Sequence, residues 1–259
     1  MVKSDHDIAM LRQSALLVSK TLAEVASLVR PGATTLELDA RAEEYIRDNG
    51  GKPGFMGYKG YTKTLCTSVN SQVVHGVPSK STTLKDGDII SVDCGVELNG
   101  YYGDSAYTFM VGEVAESTKR LLRVTRECLY LGIEKAVTRN RMGDIAFAIQ
   151  SHAERNGYSV VRELLGHGIG KAMHEKPDVP NHGKRGSGVR LLKNMALCIE
   201  PMINGGKKNV IEERDGWGIR TKDGKPSAHF ELTVVVGEKE AEVLSTFAFL
   251  EERLEKMRQ

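Results

Sequence analysis

Asp93, Asp104, His167, Glu200 and Glu231 have the residue types for hydrolytic chemistry. Together, four acids and one imidazole are an oxygen-rich ligand set of hard-to-borderline character. It suits Mn, Fe(II), Co or Zn and is unlike a structural thiolate zinc site. Four carboxylates converging without a cation would repel one another severely. Two divalent ions balance them formally. Water held between such ions ionises near neutral pH and can attack a carbonyl. Taken singly, each residue has a plainer explanation. Asp93 and Asp104 fit a solvated loop acid and a capping acid, His167 a loop histidine, and Glu200 a strand-end acid before Pro201. Glu231 resists this, because the run Phe230-Glu-Leu-Thr-Val-Val-Val236 would bury it, and an unpartnered buried carboxylate is costly.

The elements that must carry these residues follow from periodicity and turn signals. The apolar run Ile89–Val92 reads as a strand with Asp93 at its end. Asn99-Gly100 is a strong hairpin signal, and folding back there would set Asp104 beside Asp93. Tyr107–Val111 reads as the return strand. Ser4–Asp7 resembles a capping box, followed by a helical face from Ile8 to Val29 that ends at Pro31-Gly32. A second helix starts at Thr34–Glu37 and stops at Asn49-Gly50-Gly51. A third fits Glu116 to about Val137, and a fourth Asp144 to Arg155, stopped by Asn156-Gly157. Ser159–Val161, Ala196–Glu200 and Ala228–Val236 read as strands, and the charged tail 251–259 is expected to fray.

Asn49-Gly50 and Asn156-Gly157 lie 107 positions apart, as do Asp93 and Glu200. The shared offset suggests a duplication within a single domain, with halves at about 1–115 and 116–250. The expected fold is α+β: a pseudo-twofold antiparallel sheet with the helices on its outer face.

Other chemistries are excluded. Gly166-His-Gly-Ile-Gly-Lys171 fails as a phosphate loop, because Leu165 and Ala172 stand where glycine and Ser or Thr are required. A net charge of +2 gives no nucleic-acid or membrane argument. The cysteines Cys66, Cys94, Cys128 and Cys198 form no CxxC pair and read as reduced thiols, which fits the cytoplasm. The polar start is not a signal peptide, and no apolar run approaches the ~20 residues of a membrane span. His75 and His174 stand out as imidazoles able to hold a scissile amide or shuttle protons, against the alternative of hydrogen-bonded structural histidines.

The segments Val73-Val-His-Gly-Val-Pro78, Ser91-Val-Asp-Cys-Gly95, Gly103-Asp104, Gly166–Gly170, Met173-His-Glu175, Ile199-Glu-Pro-Met202 and Ser227-Ala-His-Phe-Glu231 resemble type I methionine aminopeptidases, in the pita-bread metallopeptidase group. The resemblance runs from the first helix to about Val236. It implies removal of N-terminal methionine from nascent proteins, with a small second residue favoured. Asp93 would chelate one divalent ion, His167 and Glu200 the other, and Asp104 and Glu231 would bridge. A bridging hydroxide would attack the carbonyl, with Glu200 relaying the proton, His174 stabilising the tetrahedral intermediate and His75 touching the scissile amide. Tyr58, Tyr61, Cys66, Met173 and Trp217 would line the methionine pocket. A monovalent cation near Asn70 and Ser227, nascent chains on the ribosome as partners, and a monomer are further implications.

Phe55, Met173, Leu232 and Lys193-Asn194 depart from the common family pattern. Leu232 stands where His is usual, so loss of a partner behind the metal ligands is expected there. Aminopeptidase P and prolidase relatives carry an extra N-terminal domain that 259 residues do not accommodate. The short Glu200–Glu231 interval also leaves no room for the type II insertion. The competing readings are an Xaa-Pro aminopeptidase and a non-catalytic peptide-binding module on the same fold.

Overall fold

In the computed structural model, which describes residues 1–258, Ser4 and Asp7 close the expected capping box and start α1 (Asp5–Ala26). The helix stops before Val29, at tight turns in which Ser27, Leu28 and Val29 each donate to a carbonyl three residues back. Val29 still reaches the core from that turn. Thr34 and Glu37 form a second capping box, and α2 (Thr35–Asp48) ends at Asn49 as read. Short strands β1 (Lys52–Pro53), β2 (Leu65–Val69) and β3 (Gln72–Val74) lead to the central hairpin.

That hairpin is longer than the sequence suggests. Strand β4 (Ile89–Leu98) runs through Asp93, and β5 (Tyr101–Met110) starts directly after Asn99-Gly100 and carries Asp104 within it. Both acids therefore lie inside a ladder, where alternation fixes which face they take. Helix α3 (Glu116–Ile133) ends short of Val137, which instead bridges to Gly237. Helix α4 (Met142–Arg155) begins two residues before Asp144, whose carboxylate accepts the Arg141 backbone N–H at 2.8 Å. Then come β6 (Ser159–Val160), β7 (Leu165–Gly168), β8 (Glu175–Pro180), β9 (Ala196–Ile199), β10 (Met202–Asn204), β11 (Val210–Glu212) and β12 (Ile219–Thr221).

The expected strand from Ala228 to Val236 is two. β13 (Ser227–His229) pairs with β10, and after Phe230 the chain joins the main sheet as β14 (Glu231–Val235). β15 (Glu242–Val243) pairs with β14. The tail does not fray within the described residues. It forms α5 (Ala248–Arg258), with Leu250 buried and Leu254 packed on the core, and Gln259 lies outside the described residues. Arg253 holds Glu24 of α1 at 2.9 Å. The charge of this segment hid a narrow Leu250/Leu254 stripe, one turn apart.

The main sheet is antiparallel, in the order β1-β4-β5-β14-β9-β7-β8. One face is apolar. Ile90, Val92 and Val96 of β4 pack with α1 and α2, while Leu197, Ile199, Leu232 and Val234 pack with α3 and α4. The helices thus cover one face, and residues of the opposite parity look the other way. Close approach of α1 depends on Gly103 in β5, where an added methyl would sit 2.5 Å from the Ala15 nitrogen. Gly103→Ala is expected to destabilise the fold by about 1–3 kcal/mol through overpacking. A lowered urea midpoint reads this, and an unchanged midpoint would contradict so close a helix-sheet contact.

Candidate metal centre and active site

Register places the acids without further assumption. Ala106 of β5 pairs with Asp93 on one side and Glu231 on the other, so these residues form one row across three strands. Asp104 lies two residues from Ala106 on the same face, opposite Gly95. A second row is Thr233, Cys198 and His167. Glu200 follows β9, two residues past Cys198, and its carbonyl accepts from Asn181 Nδ2 at 2.9 Å. The backbone behind the acids is pinned: Ser105 Oγ donates to the Glu231 carbonyl at 2.7 Å and Thr233 Oγ1 to the Asp104 carbonyl at 2.8 Å. Asp104, His167, Cys198 and Glu231 offer ligand atoms within 4.8 Å of one another. Asp93 and Glu200 flank them.

The electrostatics call for cations. Asp93 Oδ1, Asp104 Oδ1 and Glu231 Oε1 are buried without a hydrogen-bond partner. Burial, opposed in part by the His229 imidazole, pushes the Asp93 carboxyl up to about 6. Burial and mutual repulsion push Asp104, Glu200 and Glu231 well above the carboxylate range. His167 is held neutral by burial, and its Nδ1 lies 2.9 Å from the Gly168 carbonyl. With the proton on Nδ1, the Nε2 lone pair faces Asp104 Oδ2 and Glu200 Oε1, each 3.7 Å away. Neutral imidazole with a fixed tautomer is the form that binds metal. The residues present therefore fit a divalent metal centre. Cys198 keeps its proton, since burial and the nearby acids raise its thiol.

Around the acids is a cavity of about 330 Å³. Tyr58, Tyr61, Cys66 and Trp217 line it, as do His75 and His174. Tyr58 stacks on His174 at 5.0 Å, Tyr61 meets Trp217 edge-on at 4.9 Å, and His174 lies 4.1 Å from His167 between ring centroids. The His174 ring is open to the cavity. Desolvation in the cleft and the nearby His167, Lys59 and His75 all favour its neutral form. His75 has a left-handed backbone, φ 60°, a strained state for a non-glycine residue. Gly76 holds it there, its N–H donating to Ser68 Oγ at 3.1 Å and its carbonyl accepting from Thr67.

Two residues lie elsewhere than expected. Met173 is buried against Phe55, Gly54 and Gly95 behind the cavity wall, and Phe55 lines the cavity instead. Its neighbour His174 takes the cavity-facing position. Leu232 points into the α3/α4 core, because the residue after Glu231 must face the helices. It is not behind the ligands, so its departure from the family pattern does not bear on them directly. His229 is the residue sequence reasoning passed over. It is 1% exposed, lines the cavity, and has Nε2 3.6 Å from Glu200 Oε2. Its position two residues before Glu231 in a β-prone run was the available signal. Asn70 and Ser227 are adjacent, Ser227 N–H donating to the Asn70 carbonyl at 2.9 Å.

An antiparallel sheet with helices on one face and this Asp, Asp, His, Glu, Glu set on the other defines a metal-dependent hydrolase of the pita-bread class. The profile of metallopeptidase family M24 matches residues 9–238. The methionine aminopeptidase of Clostridium perfringens is 47% identical over 245 residues, 95% of this chain and 98% of that one. The crystal structure of the methionine aminopeptidase of Thermotoga maritima has a TM-score of 0.93 at 41% identity, covering 95% of this chain and 99% of that one. An X-Pro aminopeptidase of Thermotoga maritima shares the fold, with a TM-score of 0.75 at 21% identity, over 95% of this chain and 62% of that one. The chain belongs to metallopeptidase family M24 and, within it, to the methionine aminopeptidases.

A pH prediction follows from the acids. Their pKa values are raised on folding, so their contribution to stability is full below about 4 and is lost as pH rises through about 6 and beyond. Bound divalent ions remove that penalty and displace the protons. The melting-temperature gap between metal-loaded and metal-free protein is therefore expected to widen by several degrees from pH 5 to pH 8. A gap that is constant or narrows would contradict the shared burial of these groups.

Proposed function

We propose that the chain removes the N-terminal methionine from nascent proteins, favouring a small second residue, at a centre of two divalent ions. The observation that carries this is the meeting of four carboxyls, Asp104 and Glu231 buried and Asp93 and Glu200 largely so, and a neutral imidazole in one cavity with an aromatic, thiol-lined pocket. Asp93 would hold one ion, His167 and Glu200 the other, with Asp104 and Glu231 shared between them. The ions, Co, Mn, Fe(II) or Zn, would lower the pKa of water and polarise the scissile carbonyl. Everything else is assigned to the chain's own residues. Glu200 would take up the proton released by the attacking water and hand it on. His174, braced by Tyr58, would donate its N–H to the carbonyl oxygen as charge develops there. His75, held by its strained backbone, would contact the scissile amide.

Tyr58, Tyr61, Cys66, Trp217 and Phe55 form walls suited to a thioether. The confined cavity disfavours a bulky second side chain. The same reading takes the chain as one catalytic domain of two related halves, supported by the main sheet, to which both contribute. It places a monovalent cation near Asn70 and Ser227. It also makes the protein a cytoplasmic monomer that meets its substrates at the ribosome. No helix among the described residues is long and apolar enough to cross a membrane.

The decisive experiment compares Met-Ala-Ser, Leu-Ala-Ser and Ala-Pro-Ala after chelation and separate reloading with Mn, Fe(II), Co and Zn. Methionine-selective, metal-restored release is expected. Release only from the proline peptide would make the protein an Xaa-Pro aminopeptidase, and no release under any metal would leave a peptide-binding module. Asp104→Asn is expected to abolish turnover with the circular dichroism spectrum retained, and near-normal turnover would remove Asp104 from the ligand set. His174→Ala is expected to lower kcat about 10²–10³-fold with little change in KM. An effect confined to KM would make His174 a binding group only.

A further inference from the structure

His229 is not accounted for by the five-ligand centre. Its backbone is rigidly placed: Thr108 Oγ1 accepts the His229 N–H at 2.9 Å and donates to the His229 carbonyl at 2.7 Å. Ser91 Oγ lies 2.8 Å from the same Thr108 hydroxyl and completes its partners. Strand β13 adds pairing with Met202. Yet neither ring nitrogen has a hydrogen-bond partner, and both are buried. A buried imidazole held so firmly and left unpaired points to something it faces.

It faces Glu200. The Glu200 carboxylate lies between two imidazoles, with His167 Nε2 3.7 Å from Oε1 and His229 Nε2 3.6 Å from Oε2. The two rings are not equivalent. His167 has its Nδ1 proton tied to the Gly168 carbonyl, leaving a lone pair at Nε2. His229 has no such anchor at Nδ1. A buried N–H without an acceptor is costly, so the proton belongs on Nε2, the nitrogen beside a carboxylate oxygen. The separation exceeds a hydrogen bond by a few tenths of an ångström, within reach of a small rotation of either side chain. We propose that His229 is a positioning residue for Glu200, its Nε2–H engaging Oε2 so that Oε1 is the oxygen presented beside His167. The proposal rests on the reading of Glu200 as a metal ligand.

The test is manganese binding to chelated protein by calorimetry, for wild type, His229→Leu and His229→Gln, with a crystal structure of the manganese-loaded wild type. Wild-type uptake of manganese and release of methionine from Met-Ala-Ser test the underlying reading, and failure there is separate from failure of the His229 variants. The leucine variant, with no donor, is expected to bind manganese about 10–100-fold more weakly. The glutamine variant, whose amide N–H can reach the same oxygen, is expected to stay close to wild type. In the loaded structure Nε2 is expected within hydrogen-bond distance of Glu200 Oε2. Wild-type affinity in the leucine variant would overturn the proposal, as would a glutamine variant as weak as the leucine one. A loaded structure with Nε2 bonded to the ion at about 2.1 Å, or touching neither ion nor Glu200, would also overturn it. If the leucine variant does not fold, the loaded structure and the glutamine variant decide.

Discussion

Four carboxyl groups gathered on one face of a β-sheet and largely shut off from water are the constraint on which the rest of the structure depends. Moving even one ionised carboxylate out of water costs several kcal/mol, and neighbouring like charges add to that. The acids must be held where cations can balance them, and they must not relax apart. Sheet geometry does this cheaply. Strands lie about 4.8 Å apart, so Asp93 and Glu231, in one row with Ala106 between them, have their backbones roughly 10 Å apart. The small residues Ala106 and Cys198 leave room above the sheet for the acids to lean together, whereas the space above Gly95 is taken by Met173 and Phe55.

The opposite face of the same strands supplies the stability. Val92 and Val96 alternate with Asp93 and Gly95, and Leu232 and Val234 alternate with Glu231 and Thr233. Each strand thus spends one face on packing under the helices and one on charge. The division explains why Leu232 lies outside the cavity although it is next to Glu231 in the chain. Met173 and His174, consecutive residues in the bend before β8, separate into wall and cavity.

Around the acids, neutrality and fixed tautomers matter as much as position. Three imidazoles, His167, His174 and His229, are pushed toward their neutral forms by burial, helped at His174 by the nearby His167, Lys59 and His75 and opposed at His229 by Asp93. His167 is oriented by its own backbone neighbour, whereas His75 depends on a strained turn that Gly76 and Ser68 hold in place. Strain of this kind persists only where the surroundings over-determine it. The surroundings here are β2 and β3, which build one wall of the cavity. Likeness to the X-Pro aminopeptidase extends to the fold alone, whereas the methionine aminopeptidases match in sequence along nearly the whole chain.

Sequence by itself picked out the four acids and the histidine that meet in the cavity, the hairpin turn at Asn99-Gly100, the capping box at Ser4–Asp7 and the starts of the first three helices. These rest on residue type and on interactions three or four positions apart, which the chain carries locally. It also carried the Asp, Asp, His, Glu, Glu order and the family resemblance. Tertiary structure decided what depends on pairing between distant segments. The register that sets Asp93, Ala106 and Glu231 in one row joins strands more than 120 residues apart. The break at Phe230, the docking of α5 and the approach of His229 to Glu200 arise from the same long-range packing. A side chain's face is set by the strand beside it, and that neighbour is not written in the adjacent residues.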